Sequence, residues 1–245
     1  MRRDVLTPAT PRVDPGYTEQ QVVDAVGAIR RGGLVLLKGD IGYGLFGISE
    51  RAIRKMYEIK GRPYSNPCIV IGNLDVLADI SRIPDPEIGD WIRETASWTT
   101  LAVVLPVNPQ SRLLAKLPAW VYAQTVTNAT VAAFLNTGEF LEKVIARAFR
   151  EEILFVGSSA NLSSRGNIFD FAELPAHFVQ GADFYLDHGK ARYANPERKA
   201  TTIVNFTNWT VKRRGVNWEK IEPSFWRLKQ SLDGRRNPTN ERSVS

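Results

Sequence analysis

Short apolar runs that suit buried strands alternate along most of this chain with segments that have the spacing of amphipathic helices. Residues 34–37 are apolar at every position, which predicts a strand in the middle of a sheet rather than at a solvated edge. Before this strand, Thr18 and Gln21 form a capping-box pattern that predicts the start of a helix. Alternation of this kind is typical of an α/β domain.

The same reading predicts the remaining elements. Further strands are predicted at residues 68–71, 100–106, 130–135, 153–156, 184–187, 201–206 and 210–213. Further helices are predicted at residues 49–60, 86–96 and 139–150, and a glycine-rich turn at residues 39–45. Because no internal repeat and no clear linker interrupts this pattern, we predict a single domain over residues 18–216. An irregular arm is predicted before it at residues 1–17, and an extension after it at residues 217–245.

Composition excludes several classes of protein. The 245 residues are 43% hydrophobic, which is enough for a buried core and too much for a disordered chain. Cys68 is the one cysteine and His177 and His188 are the two histidines, so neither a disulfide nor an ordinary zinc site is expected. No apolar run approaches the ~20 residues that cross a bilayer, and residues 1–17 lack the apolar segment of a secretion signal. We therefore predict a cytoplasmic protein with no membrane partner and no metal site.

The positive charge lies mainly at the end of the chain. The formal net charge is +6, and residues 212–245 hold nine Lys or Arg against four Asp or Glu, a balance of +5 that leaves +1 for the rest. Within this basic region, Ser224 predicts the cap of a short helix with Phe225, Leu228 and Leu232 on one face. Its tryptophans allow two interpretations: a platform on which nucleic-acid bases stack, or aromatic side chains that attach the segment to the domain.

Four short motifs occur in order within the predicted domain. The first is residues 38–45, which join a buried strand to the glycine-rich turn, and the second is residues 59–63, which close the following helix. The third, residues 157–163, follows a buried strand, and the fourth combines residues 200–204 with residues 211–215. In this order and at this spacing, from about Val22 to Gly215, the sequence resembles the YrdC-like family of threonylcarbamoyl-adenylate synthases.

The resemblance implies a YrdC/RibB-like fold, in which a twisted mixed sheet flanked by helices bears a concave, positively lined cavity. It also implies an enzyme, a nucleotidyltransferase that joins threonine, bicarbonate and ATP into threonylcarbamoyl-adenylate with release of pyrophosphate. In that family the product serves the modification of an adenosine in tRNA. ATP is then a substrate, and Mg²⁺ is the usual companion of a triphosphate.

The resemblance also assigns roles to individual residues. Lys60 and Arg62 correspond to the family's Lys-x-Arg pair, which implies a catalytic role on phosphate or carboxylate oxygens; alone, they would suit a solvated helix end. A nucleotide site is implied for six residues: Lys60, Arg62, Ser159, Asn161, Thr201 and Arg213. A substrate site is implied for Lys38, Asp40 and Tyr43. Without the resemblance, ordinary turn chemistry explains Ser159 and Asn161, and core packing explains Tyr43.

The sequence departs from the family pattern in two places. In the first motif, Lys38, Gly39 and Ile41 stand where the family has a proline and two threonines, and later in the chain Phe134 stands where the family has an arginine. At Ile41 and Phe134, a hydroxyl and a guanidinium are thus replaced by apolar groups. Sites built around such polar groups discriminate strongly between substrates. We therefore expect the fold and the nucleotide site to be retained and the amine substrate to be altered.

Three functions remain open from the sequence. The first is a threonylcarbamoyl-adenylate synthase-like enzyme, with ATP, bicarbonate and an amino acid or other amine as its partners. The second is a catalytically silent module that binds tRNA or double-stranded RNA. The third is a carbamoyl-adenylate enzyme of small-molecule metabolism, which is favoured if Ile41 and Phe134 line an apolar pocket. The related dihydroxybutanone-phosphate synthases are rejected, because their acidic metal cluster is not apparent in the sequence.

Overall fold

A single mixed sheet organises the protein. The computed structural model describes residues 17–162 and 166–236, and its ten strands form one sheet. The predicted α/β fold is confirmed. Nearly all of the predicted arm and residues 237–245 of the predicted extension lie outside the described residues.

The helices and strands have the following bounds. The helices are α1 Glu19–Arg30, α2 Glu50–Lys60, α3 Leu74–Ile80, α4 Pro86–Trp98, α5 Ala119–Thr125, α6 Glu139–Arg150, α7 Ala176–Gly181 and α8 Trp218–Arg236. The strands are β1 Val35–Gly39, β2 Gly42–Gly47, β3 Ile69–Ile71, β4 Leu101–Pro106, β5 Val126–Thr127, β6 Thr130–Leu135, β7 Val156–Ser159, β8 Phe184–Tyr185, β9 Thr202–Asn205 and β10 Thr210–Arg213. Their order in the sheet is β10-β9-β4-β6-β3-β7-β2-β1-β8, with β5 paired to β6. The pairs β1–β8, β3–β6 and β4–β9 are parallel and the others are antiparallel. Within residues 17–162 and 166–236, none of the helices is long and apolar enough to cross a membrane.

Local capping explains why the first helices begin where predicted. The Thr18 side chain accepts a hydrogen bond from the backbone of Gln21, whose side chain accepts one from the backbone of Thr18, so the capping box is confirmed. Ser49 caps α2 in the predicted place. One face of each helix then packs on the body of the protein: α1 lies against α6, and α2 against β2.

Two predictions in the centre of the sheet are wrong. The glycine-rich stretch is a hairpin rather than a turn, because β2 pairs with β1 from Gly42 onward and with β7 on its other side. The strand predicted at residues 153–156 instead runs from Val156 to Ser159. The apolar pattern did not predict this strand because most of its residues are glycine or serine, and backbone pairing does not require apolar residues. As a consequence, Ser159 lies on a central strand of the sheet.

The C-terminal helix belongs to the core. Phe225 is fully buried, and its ring contacts those of Trp91, Phe206 and Trp218. Ser224 does not cap a helix as predicted, because α8 already begins at Trp218, and the Ser224 hydroxyl accepts a hydrogen bond from the Trp91 indole at 3.0 Å. Trp218 and Phe225 therefore attach the segment to the domain, which is the second of the two interpretations of this region.

Candidate active site

A cavity of about 360 Å³ opens on one face of the sheet. Strands β2, β3, β4, β6, β7, β9 and β10 all contribute residues to its lining. Of the residues expected in the site, five line this cavity: Tyr43, Arg62, Ser159, Thr201 and Arg213. The remaining four, Lys38, Asp40, Lys60 and Asn161, are not among the lining residues and lie nearby in other roles.

The end of α2 positions the Lys-x-Arg pair. Gly61 has a φ of 55° in the left-handed region, and the backbone N–H groups of Gly61 and Arg62 return to the last turn of the helix. This reversal lets Arg62 leave the helix and enter the cavity wall. Its guanidinium donates to the Ser158 hydroxyl at 3.3 Å and to the Pro67 carbonyl at 2.9 Å. These two hydrogen bonds fix the orientation of the Arg62 guanidinium in the cavity wall.

Lys60 lies behind the cavity wall rather than in it. Its side chain is buried, and its ammonium donates to the backbone carbonyls of Ser159 and Asn161. A solvated helix end, the ordinary explanation of a lysine at this place, is therefore wrong for Lys60. Burial first, and nearby Arg62 second, lower the pKa of Lys60 to about 7. Lys60 thus does not line the cavity itself, but its hydrogen bonds fix the turn that carries Ser159 and Asn161.

Stability should depend on pH through Lys60. Between pH 7 and the ordinary lysine pKa of 10.5, the unfolded chain binds a proton that the folded chain lacks, so stability rises with pH in this window. The free energy of unfolding of the wild type, minus that of Lys60→Met, should increase by about 2 kcal/mol from pH 7 to pH 9. Urea unfolding at both pH values measures this difference. The exposed Lys220→Met variant serves as the control, and a Lys60→Met difference that stays constant with pH would contradict the prediction.

The Ser-x-Asn turn closes one side of the cavity. The Ser159 hydroxyl donates to the Asn161 side-chain oxygen, and the Asn161 side-chain amide donates to the Leu162 carbonyl at 3.0 Å. Ser158, which motif matching did not single out, lines the cavity beside Ser159 and binds Arg62. No signal in the sequence pointed to Ser158, because alternation along a strand sends neighbouring side chains to opposite faces and the motif already assigned Ser159 to the site.

A second cation approaches from the other side of the cavity. The Arg213 side chain on β10 donates to the Thr201 carbonyl at 2.8 Å, and the Thr201 hydroxyl lies 3.4 Å from that of Thr100. Arg213 is exposed as a residue, and it lines the cavity. Partial desolvation, and after it the charge of Arg62, lower the pKa of Arg213. The two guanidinium groups are therefore near enough to affect each other.

The three residues expected to bind substrate form hydrogen bonds and an ion pair with residues 188–192. The Lys38 ammonium donates to the carbonyls of His188 at 2.6 Å and Lys190 at 3.4 Å, and the Tyr43 hydroxyl donates to the Gly189 carbonyl at 2.8 Å. Asp40 forms an ion pair with Arg192 at 3.6 Å. These contacts fix residues 188–192 beside the β1–β2 hairpin. For Tyr43, this is core packing with a bonded hydroxyl, even though the residue also lines the cavity.

Apolar residues form much of the remaining wall. Ile41 and Phe134, the two apolar replacements of polar groups in the family pattern, both line the cavity. None of the described lining residues is Asp or Glu, and the described part of the chain holds no cluster of three His, Cys, Asp or Glu placed to bind a metal. The side chains present therefore do not form a Mg²⁺ site, and the cavity is suited to an anion with an apolar part.

The sequence profile of the Sua5/YciO/YrdC family, described as telomere recombination, matches residues 27–215. The chain belongs to this family. The matched region contains every residue of the candidate site, from Lys38 to Arg213. It ends before α8, so the helix that completes the core lies outside the family profile.

Relatives within the Sua5/YciO/YrdC family agree with this assignment. A threonylcarbamoyl-AMP synthase of Pyrococcus abyssi is 25% identical over 212 residues, which are 83% of this chain and 57% of that protein. The chain thus spans little more than half of that relative. P. abyssi Sua5 complexed with L-threonine has a TM-score of 0.64 at 22% identity, over 82% of this chain and 55% of that one. E. coli YciO has a TM-score of 0.65 at 16% identity, over 82% and 92% respectively. Both likenesses show the shared fold.

Proposed function

We propose that the protein is an ATP-dependent carbamoyl-adenylate synthase, a nucleotidyltransferase of the threonylcarbamoyl-AMP synthase type. The observation that carries the proposal is the pair Arg62 and Arg213, which converge on one cavity whose described lining residues include no carboxylate. Family membership and the threonylcarbamoyl-AMP synthase relative support the same reaction. Guanidinium groups suit a triphosphate because their planar N–H donors match phosphate oxygens and remain charged.

The reaction has two balanced steps. The amine nitrogen of the substrate attacks bicarbonate, a C–N bond forms, and water leaves to give a carbamate. A carbamate oxygen then attacks the α-phosphorus of ATP, the bond from that phosphorus to the β-phosphate bridge breaks, and pyrophosphate leaves with the electron pair. Because the carbamate is short-lived and the mixed anhydride is reactive, the site must hold all reactants together and exclude water.

The site residues divide this work. Arg62 and Arg213 hold the phosphates from two sides and offset the charge that develops on the leaving pyrophosphate. The hydroxyls of Ser158, Ser159 and Thr201 donate to the remaining phosphate oxygens. Lys60 is a positioning residue that fixes the turn after β7. ATP is the substrate, and the described lining residues provide no carboxylate that would hold a Mg²⁺ ion accompanying it.

Pyrophosphate release tests this proposal directly. The full chain is incubated with ATP, bicarbonate and each of a panel of amino acids, and the adenylate product is identified by mass spectrometry. We expect release that requires both bicarbonate and an amine. No release with any amine, at enzyme concentrations high enough to detect one turnover, would contradict the proposal. The amine that supports release also indicates the role of the product. Use of threonine would indicate tRNA modification, and use of another amine would indicate small-molecule metabolism.

Cytoplasmic location and contact with RNA are parts of the same proposal. Consumption of ATP requires a compartment that contains it, which supports the cytoplasm. RNA binding stays a prediction of the sequence, and the burial of Trp218 removes one of the tryptophans that a base-stacking platform would have used.

A further inference from the structure

A row of four apolar side chains crosses the floor of the cavity. Ala102 on β4 is the register partner of Ile203 on β9 and of Phe134 on β6, and Phe134 is the partner of Ile71 on β3. Partners in adjacent strands direct their side chains to the same face of the sheet. All four residues line the cavity, so the row is continuous across four strands.

A second row continues the apolar floor toward β2. Phe46 and Ile69 are both register partners of Gly157. The Phe46 ring lies in space that glycines leave open: a Cβ on Gly44 would be 2.1 Å from its Cζ, and a Cβ on Gly157 would be 2.7 Å from its Cδ1. The second row consists of Val104, Ala132, Ile69 and Phe46.

Polar groups lie around this floor and not within it. Arg62 and Ser158 are on one side of the cavity, and Thr201 and Arg213 are on the other. The eight residues of the two rows offer no side-chain hydrogen-bond partner, so a hydroxyl that leaves water to lie on them costs free energy. An apolar group placed there is instead removed from water with no unpaired polar atom, which is favourable.

We propose that the apolar floor selects the amine substrate, which is an amino acid with an aliphatic or aromatic side chain, and that Phe134 is the residue that sets this specificity. This inference rests on the proposed carbamoyl-adenylate synthase function. The cations around the floor take the carboxylate of the amino acid and the phosphates of ATP, while its side chain lies on the two rows. Phe134 is central because it joins Ala102 to Ile71 in the first row.

The adenine of ATP is the competing occupant of an apolar floor. Its ring faces are apolar, but its edges carry donors and acceptors that need partners. Thr127 and Asn66 line the same cavity, belong to neither row, and offer a hydroxyl and an amide to such edges. The floor itself offers no such group, so the amine side chain is the better match.

Valine and threonine form the sharpest test, because they differ only by a methyl group in place of a hydroxyl. An apolar pocket rejects an added hydroxyl by up to about 100-fold, whereas a site built to bind that hydroxyl rejects its absence far more strongly. We expect kcat/KM for pyrophosphate release to be about 10- to 100-fold higher with valine than with threonine. Equal values, or a preference for threonine, would overturn the inference and leave the proposed function standing.

Variants at the floor provide the second arm of the test. Phe134→Tyr keeps the ring and adds one hydroxyl, and Phe134→Arg adds a cation; each should reduce the valine-to-threonine ratio at least tenfold. Phe134→Leu keeps the floor apolar and should retain the preference. Phe149→Tyr adds a hydroxyl outside the cavity lining and serves as the control. An unchanged ratio in Phe134→Tyr and Phe134→Arg would show that the amine does not contact this residue.

A binding measurement separates failure of the inference from failure of the proposed function. Thermal shifts are recorded with a non-hydrolysable ATP analogue and either amino acid, so that no turnover is needed. A shift with valine and not with threonine supports the floor as an amine site even if no pyrophosphate is released with any amine. Two results would overturn the inference, because each assigns the floor to another occupant. Neither amino acid produces a shift, or Phe134→Arg loses binding of the ATP analogue but keeps binding of the amino acid.

Discussion

Substitution of Arg62 by alanine is expected to lower kcat/KM for ATP by about 100- to 1000-fold, as measured by pyrophosphate release. The Arg62 guanidinium is fixed by Ser158 and Pro67 and enters the wall of the cavity, so it is preorganised for a phosphate group. In Arg62→Ala, the methyl group of alanine replaces the guanidinium, so part of the negative charge on the triphosphate has no cationic partner in the cavity. The loss should appear in ATP affinity as well as in turnover.

Two further variants show whether this loss is specific. Arg62→Lys keeps the charge but not the planar donors, and we expect it to recover about tenfold of the lost activity. Arg54→Ala removes an arginine of α2, the helix that precedes Arg62. The Arg54 side chain lies over the Trp120 ring at 4.1 Å and does not line the cavity. This variant should retain activity near the wild-type level. Equal activity of Arg62→Ala and wild type would contradict the assigned role, provided that both proteins unfold at the same temperature.

Local patterns in the sequence were sufficient for most of the fold. Thr18 and Ser49 cap their helices as predicted, because capping depends on residues only a few positions apart. Strand β6 was predicted with its observed bounds, since its residues are mainly apolar, include β-branched Thr130 and Val131, and are flanked by turn residues. By contrast, Val156–Ser159 was misplaced, because its pairing with β2 and β3 is a tertiary property that its polar side chains do not indicate.

The candidate site was predictable only in part. The order of the motifs identified Arg62, Ser159, Thr201 and Arg213, which line one cavity. The place of Lys60 could not be predicted, because it depends on which backbone carbonyls lie opposite the end of α2. The motif at residues 38–45 contributes to the cavity lining, but the direction of the Lys38 and Tyr43 side chains is set by residues 188–190, about 150 positions later.

Substitution of Phe225 by alanine is expected to lower the free energy of unfolding by about 3–5 kcal/mol. Phe225 is fully buried among aromatic rings from α4, the segment after β9, and α8 itself, and alanine would leave a cavity there. The midpoint of thermal unfolding should fall by about 10 °C. Urea unfolding measures the free energy, with Arg227→Ala, an exposed position on the same helix, as the control. A loss below about 1 kcal/mol would show that α8 contributes little to the core.

The same contacts determine how RNA binding has to be tested. Deletion of residues 217–245 would remove Ile221, Phe225 and Leu232 from the core, so a loss of RNA affinity could not be distinguished from unfolding. Charge substitutions avoid this problem, because Lys220 and Arg227 are exposed on α8. If the helix contacts RNA, Lys220→Gln with Arg227→Gln should weaken binding and reduce its salt dependence while the unfolding midpoint stays constant. Unchanged affinity at low salt would exclude these two side chains of α8 as phosphate contacts.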